Sequence, residues 1–401
     1  MNKSSVFITR LTLRNFKSIA SCSLDLGPLT FLVGPNGSGK SNCLDSLRFV
    51  AESLRTSLDH ALRDRGAIKE VRRRSGGHPN HFTIRLDFRL PSGHFGNYSF
   101  QVAAKKSGGF EVQTEECRLT HAEALQEHFY LVERGRLIKT SASLAPAVFP
   151  DRLFLVAASG LAEFRPVYDA LSSMEIYNLN PKEIANLQKP DEGKLLRRDG
   201  SNASSVLQKL PDDARKRITH YLAKIVRGVS DAETKPLGSQ ETVEFRQVVK
   251  GQKHPWRFYA SSMSDGTLRA FGILLALFQN YSGKAGGPLL IGLEEPEMAL
   301  HPAATGILLA SLREASTRTQ IVVTSHSPDL LDDQDIPTDA IVAVDNPDGV
   351  TRIAPVDEAG RSVLKDRLFT VGELLRQNQL TPDPKALVND RQLKLFELAE
   401  R

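Results

Sequence analysis

The chain has 401 residues, with 52 Lys+Arg against 47 Asp+Glu, for a net charge of +5. Its 40% hydrophobic and 25% charged content is that of a globular protein with a real core, which excludes wholesale disorder. The length suits one large domain with an insertion, or two domains, and so mild a charge permits a nucleic-acid partner without requiring one.

The longest apolar run, Ala270–Phe278, is broken by Gly272 and is far short of the roughly 20 residues a membrane helix needs. No membrane association is expected. Met1–Arg14 alternates polar and apolar residues and has no apolar core, so no secretory signal is expected. Cys22, Cys43 and Cys117 are odd in number and lack a CxxC pair, which argues for a reducing, cytoplasmic setting.

In chain order, Phe7–Arg14 and Ser21–Leu26 alternate as strands, and Leu29–Val33 is an apolar run suited to a buried strand. Gly34-Pro35-Asn36-Gly37-Ser38-Gly39-Lys40-Ser41 follows at once and fits G-x-x-x-x-G-K-[ST]. Ser41–Ser53 then has helical spacing, through Cys43, Leu44, Leu47 and Val50. Glycines let successive N–H groups curl toward one anion, and the helix N-terminus adds a favourable dipole. Lys40 would reach the β- and γ-phosphates, and the Ser41 hydroxyl would ligate Mg²⁺. Asn36, Gly37, Ser38, Gly39, Lys40, Ser41 and Asn42 are thus the candidate nucleotide cradle. A chain this long matches the bare pattern by chance on the order of once in a hundred cases, and the strand–loop–helix setting lowers that further.

Residues 55–75 are basic, with Arg63, Arg65, Lys69 and Arg72–Arg74, and begin as helix. Phe82–Leu90, Tyr98–Val102 and Phe110–Val112 alternate as an antiparallel meander with turns at Pro91–Gly93 and Ser107–Gly109. Residues 160–235 are polar and helical, bounded by Pro166, Pro181, Pro190 and Pro211. They predict a helical insertion, dividing the chain into 1–159, 160–238 and 239–401. Strands return near Thr242–Val249, and 264–346 alternates helix with apolar strand, as a parallel sheet requires.

Three further constellations lie in that last part. Ser264 caps a helix whose start, Ser261–Thr267, is rich in Ser and Gly and forms a second anion site. Leu289–Leu293 is a buried-strand run ending in Glu294-Glu295-Pro296-Glu297. Beside a phosphate loop, Glu294 would hold the metal and Glu295 would orient the attacking water. Ile321–Thr324 ends in Ser325-His326-Ser327-Pro328, which sets His326 where it can sense a γ-phosphate. Read singly, each has a plainer meaning: a capped helix, a solvated acidic turn, a structural histidine.

The order of these elements resembles the ABC-type ATPase heads, in the manner of the RecF, SMC and OLD (overcoming-lysogenization-defect) branch. Leu13-Arg14-Asn15-Phe16-Lys17-Ser18 looks like that branch's opening motif and adds Lys17 to the candidate nucleotide contacts. Glu294–Pro302 looks like its acidic motif with a trailing Leu-His-Pro, and Leu196–Asn202 is similar to a segment of its stand-alone bacterial ATPases. The resemblance implies an α/β head with a mixed central sheet, an antiparallel β subdomain and a helical insertion. It implies ATP and Mg²⁺ as cofactors and His326 as switch histidine. It also implies a head-to-head homodimer in which Ser264 and Gly266 contact the nucleotide of the opposite subunit. Glu294 stands where most transporter ATPases have Asp, and Asp265 where the signature has Gly. The resemblance leaves no glutamine placed as the Q-loop residue. OLD nucleases carry a nuclease domain after the His motif; with 75 residues after His326, none is expected here.

The function expected is an ATP-hydrolysing switch that gates a separately encoded effector, in anti-phage defence or DNA metabolism. A RecF-like repair ATPase that binds DNA directly, through Arg63–Arg74 or through Lys194, Arg197 and Arg198, is the first alternative. A nucleotide-stabilised scaffold without turnover is the second.

Overall fold

The computed structural model describes residues 6–75, 79–121, 123, 127–144, 146–280, 287–387 and 393–399. Residues 1–5 of the segment read as lacking a signal lie outside these.

The chain opens with strands β1 (Ile8–Phe16), β2 (Ile19–Asp25) and β3 (Leu29–Val33). The phosphate loop leads from β3 into helix α1 (Lys40–Arg55), followed by the short helices α2 (Leu58–Arg63) and α3 (Ile68–Val71). Five strands follow: β4 (His81–Arg89), β5 (His94–Ala104), β6 (Phe110–His121), β7 (Glu127–Glu133) and β8 (Arg136–Thr140). They join β1 and β2 in an antiparallel sheet of order β2-β1-β4-β5-β6-β7-β8. Alternation in β4 buries Phe82, Ile84, Leu86 and Phe88. Phe49 of α1 meets Phe16 and Phe82 edge-on, at ring-centre distances of 6.1 and 5.4 Å, which fixes the helix behind the phosphate loop onto this sheet.

A polar node fixes its other side. Asp45 of α1, almost fully buried, receives a two-pronged bond from Arg65 at 2.8 and 2.9 Å, a further bond from Arg48 and an ion pair from Lys17 at 2.7 Å. Burial alone would raise the Asp45 carboxyl, but Arg65 foremost, then Arg48 and Lys17, hold it well below the usual carboxylate range. A depressed native pKa gives stability that is present above the ordinary carboxylate pKa of about 4 and is lost as pH falls below it. Asp45→Asn leaves the buried Arg65 with a single carboxylate partner, Glu52. It is expected to cost about 3 kcal/mol in urea unfolding at neutral pH. A loss under about 1 kcal/mol would show the node to be dispensable.

The second part begins with α4 (Phe154–Ala158), α5 (Arg165–Ser172), β9 (Glu175–Tyr177), α6 (Pro181–Ala185), α7 (Ala203–Lys209) and α8 (Asp212–Ile225). A three-stranded antiparallel sheet follows, of β10 (Val229–Leu237), β11 (Gln240–Gln247) and β12 (Trp256–Tyr259). Next come α9 (Asp265–Phe278), β13 (Leu290–Glu294), α10 (Thr305–Ser316) and β14 (Gln320–Ser325). The chain closes with β15 (Ile341–Asp345), β16 (Arg352–Pro355), α11 (Glu358–Lys365) and α12 (Val371–Arg376).

The central sheet has the order β16-β15-β3-β14-β13-β9 and is parallel except for β16. β3, β13 and β14 are almost wholly buried, as apolar runs covered on both faces must be. One apolar core lies between this sheet, α1 and the seven-stranded sheet; the other packs α8, α9 and α10 against the opposite face.

The segment 160–238 is less uniform than its composition predicts. It holds four helices, but β9 inside it is the edge strand of the central sheet, beside β13. Three residues are too few to show a period. Its end is also strand, since β10 starts at Val229, masked in sequence by polar residues on a half-exposed hairpin.

The buried side chain of Gln320, at the start of β14, joins the two sheets. Its Oε1 accepts from the N–H groups of Phe7 and Ile8 at 3.2 and 2.8 Å, and its Nε2 donates to the carbonyls of Ile8 and Gly27. Among the described residues, no helix is long and apolar enough to cross a membrane.

Candidate nucleotide-binding site

β3, β14 and β13 end at one edge of the central sheet. Val33 is in register with Ser325, and Thr324 with Glu294, so the phosphate loop, the His326 turn and the Glu294–Glu297 turn leave the sheet side by side. The carboxyl edge of a parallel sheet is where such folds bind ligands.

The phosphate loop is held tightly at both ends and open in the middle. At Gly34 a Cβ would stand 1.9 Å from the Val344 carbonyl oxygen, so only glycine passes beneath β15. Gly39 caps α1 with φ of +105°, where a Cβ would also strike Thr351 Oγ1. Asn36 and Gly37 form the exposed tip, Ser38 is buried, and Ser41 is exposed on the first turn of α1. Lys40 is buried, its Nζ donating to the carbonyls of Gly34 and Pro35 at 2.8 and 2.9 Å. Burial pulls the Lys40 ammonium below its ordinary pKa, while Glu295 and Glu297 pull it back up.

The acidic turn faces this ammonium. Glu295 has φ of +44°, and its N–H donates to the Thr324 carbonyl at 3.0 Å. Its Oε1 lies 3.1 Å from His326 Nδ1, within ion-pairing range though off the line of a hydrogen bond. Glu294 Oε1 accepts from Arg198 Nη2 at 3.1 Å. The donor set fits Mg²⁺: a hydroxyl on the first turn of α1 and a carboxylate at the strand end, both hard oxygens.

Lys17 and Asn42 are engaged differently from the rest of the cradle. The Lys17 ammonium is taken by Asp45, and Asn42 Nδ2 donates to Ser18 Oγ at 2.7 Å. Their side chains brace the base of the loop. Ser264 caps α9, accepting from the Thr267 N–H at 3.3 Å, and is exposed beside Asp265. Gly266 allows the helix start to press on the acidic turn, since a Cβ there would lie 2.4 Å from the Ala299 carbonyl oxygen.

Two residues at the site escaped the sequence reading. Arg269 of α9 is buried and donates to the carbonyls of Leu179, Glu294 and Glu295 at 2.9, 3.2 and 3.0 Å, tying the signature helix to the acidic turn. A single arginine in the otherwise apolar stretch Leu268–Phe278 was the available signal. Glu297 is buried and accepts from Ser325 Oγ at 2.6 Å, and its second oxygen, Oε2, is buried without a partner. Burial raises the Glu297 carboxyl, against the Ser325 bond and the His326 charge.

The basic segments are largely neutralised from within. Arg65 is bound up at Asp45 and Glu52, Arg63 pairs with Asp59, and Arg74 with Glu70. Lys194 pairs with Glu192, Arg197 with Asp191 and Arg198 with Glu294.

The fold and site define an ABC-type ATPase head of the RecF, SMC and OLD branch. The family profile described as "AAA domain, putative AbiEii toxin, Type IV TA system" matches residues 29–332, and the chain belongs to that family. It is similar to the OLD nuclease of Thermus scotoductus, 24% identical over 383 residues, covering 89% of this chain and 66% of that protein. It is 28% identical over 175 residues to the chromosome partition protein Smc of Clostridium kluyveri, covering 40% of this chain and 14% of that protein. A stretch of 53 residues is 47% identical to the DNA replication and repair protein RecF of Colwellia psychrerythraea, covering 12% of this chain and 14% of that protein. The chain thus spans under two thirds to a seventh of these relatives' own lengths.

Among solved structures, the Pyrococcus furiosus Smc head with an extended coiled coil, bound to the C-terminal domain of ScpA, aligns with a TM-score of 0.56 at 12% identity. It covers 90% of this chain and 99% of that one. An SmcHead bound to the C-winged helix domain of ScpA aligns at 0.54 and 15% identity, covering 88% of this chain and 99% of that one. Both show a shared SMC-head fold.

Proposed function

We propose that this chain is a Mg²⁺-dependent ATP-hydrolysing switch that closes on a second copy when ATP is bound and relays the change to a separate effector. The observation that carries the reading is the register at the sheet edge, which brings Lys40, Glu295 and His326 to one place. Lys40 neutralises the β- and γ-phosphates, and Ser41 and Glu294 would hold the metal, which would supply Lewis-acid charge stabilisation. Glu295 orients the attacking water, and His326, poised on the Glu295 carboxylate, senses the γ-phosphate. Ser264 and Gly266, at an outward-facing helix start, read the nucleotide held by the opposite subunit.

Membership of a family described by a toxin–antitoxin system supports an effector partner in defence, and the OLD and RecF relatives support a role in DNA metabolism. Direct DNA binding through 63–74 or 194–198 is the weaker reading, because Arg63, Arg65, Arg74, Lys194, Arg197 and Arg198 already have carboxylate partners.

The test is light scattering and phosphate release on the same sample. ATP with Mg²⁺ is expected to convert monomer to dimer and to release phosphate, and EDTA to abolish release. A chain that stays monomeric with ATP at high protein concentration removes the dimer. Dimerisation with no phosphate release converts the switch into a scaffold.

A further inference from the structure

The segment Leu196–Asn202 forms a frame for one side chain. The N–H groups of Asn178 and Asn180, just past β9, donate to the carbonyls of Arg198 and Asp199 at 3.1 and 3.0 Å. Asn202 braces the turn from within, accepting from the Arg197 N–H at 2.8 Å and donating to the Leu195 carbonyl at 3.0 Å. Gly200 closes it at φ of +83°, against Ile184, where a Cβ would lie 2.7 Å from a side-chain carbon. β9 is the direct neighbour of β13, so this bracing sets Arg198 over the end of the strand that carries Glu294. The result is the 3.1 Å bond from Arg198 Nη2 to Glu294 Oε1, spanning 96 positions of sequence.

We propose that Arg198 is an internal counter-cation that competes with Mg²⁺ for the Glu294 carboxylate and so sets the metal concentration at which nucleotide loads. This rests on the nucleotide and Mg²⁺ reading of the site. A guanidinium carries donors only, so it cannot share a metal's coordination shell as a ligand. Two cations drawn to one carboxylate repel each other, so Arg198 on Oε1 weakens the hold of Glu294 on a metal even while its second oxygen stays open. The pair is also accessible, with side-chain exposures of 43% for Arg198 and 19% for Glu294, so a divalent ion arriving with nucleotide can displace it. A screened pair of this kind is strong enough to shift a threshold and too weak to lock the site. Arg198 is therefore a positioning residue: it acts on the metal through Glu294.

The experiment titrates Mg²⁺ into the full chain with a fluorescent ATP analogue and reads bound nucleotide. Arg198→Ala is expected to lower the half-saturating Mg²⁺ about two- to fivefold. Arg198→Lys, which keeps a charge but loses the planar fork, is expected to fall between it and the parent chain. Arg197→Ala, whose guanidinium pairs with Asp191 instead, is expected to match the parent. An unchanged or raised midpoint in Arg198→Ala, with binding in the parent still Mg²⁺-dependent, overturns the proposal alone. Nucleotide binding in the parent that ignores Mg²⁺ overturns the underlying reading of the site as well. A fall in nucleotide affinity at saturating Mg²⁺ without a midpoint shift assigns Arg198 to the phosphates and also overturns it.

Discussion

Lys40→Ala is expected to lower ATP turnover by about a hundredfold to a thousandfold, the loss typical of removing one preorganised donor from a developing oxyanion. The Lys40 ammonium is a buried cation on the first residue of α1, held over the loop by the carbonyls of Gly34 and Pro35. Its two carbonyl bonds are short-range and local, so incoming phosphate oxygens need only outcompete two neutral acceptors. A charged acceptor makes the stronger bond to a cation, which favours the exchange. The carboxylates of Glu295 and Glu297 offset part of the burial that pulls the ammonium below its ordinary pKa. Alanine removes this charge and leaves the loop glycines, and hence the loop path, unaltered. Phosphate release is the assay, with a thermal melt to show that the variant folds. Turnover within tenfold of the parent in a folded variant would reject the phosphate-loop assignment.

Glu295→Gln is expected to slow turnover at least as severely, and its second effect is larger and of opposite sign. The ATP-bound dimer should accumulate, because in the proposed switch hydrolysis is the step that opens it. Glutamine matches glutamate in shape and tolerates the φ of +44° no worse, so the turn and its bond to Thr324 persist. What is lost is the carboxylate that lies 3.1 Å from His326 and is proposed to orient the water. One fewer negative charge near the γ-phosphate site also favours nucleotide retention. Light scattering at saturating ATP reads the outcome directly. A Glu295→Gln chain that remains monomeric there defeats the sandwich arrangement, and one that hydrolyses at the parental rate defeats the role given to Glu295.

The parts of the fold legible in sequence are those with long, clean periods. β3, β13 and β14 stand out as apolar runs because both their faces are covered, and β4 because its apolar residues alternate strictly with polar ones. The candidate motifs at the ends of those strands stand out for the same reason, since each sits where a strand stops. β9 was not, because three residues carry no period, although it lies next to β13. Arg198 was read as a candidate DNA contact because a sequence shows charge and not partner, and its partner lies 96 positions away. Arg269 and Glu297 were hidden differently. Their roles rest on being buried, which an isolated charge in an apolar helix hints at and a third glutamate in an acidic turn does not.

The amide of Gln320 has a mechanical consequence. β14 is six residues long, a nearly inextensible rod of roughly 20 Å. At one end Gln320 rivets it to β1 of the antiparallel sheet, and just beyond the other end stands His326. A push on His326 along the strand cannot be absorbed by the rod itself. It has to be taken up in the Ser325–Pro328 turn or delivered as sliding of one sheet past the other. The stiffness of that short turn therefore decides whether an event at the sheet edge stays local or is felt across the molecule.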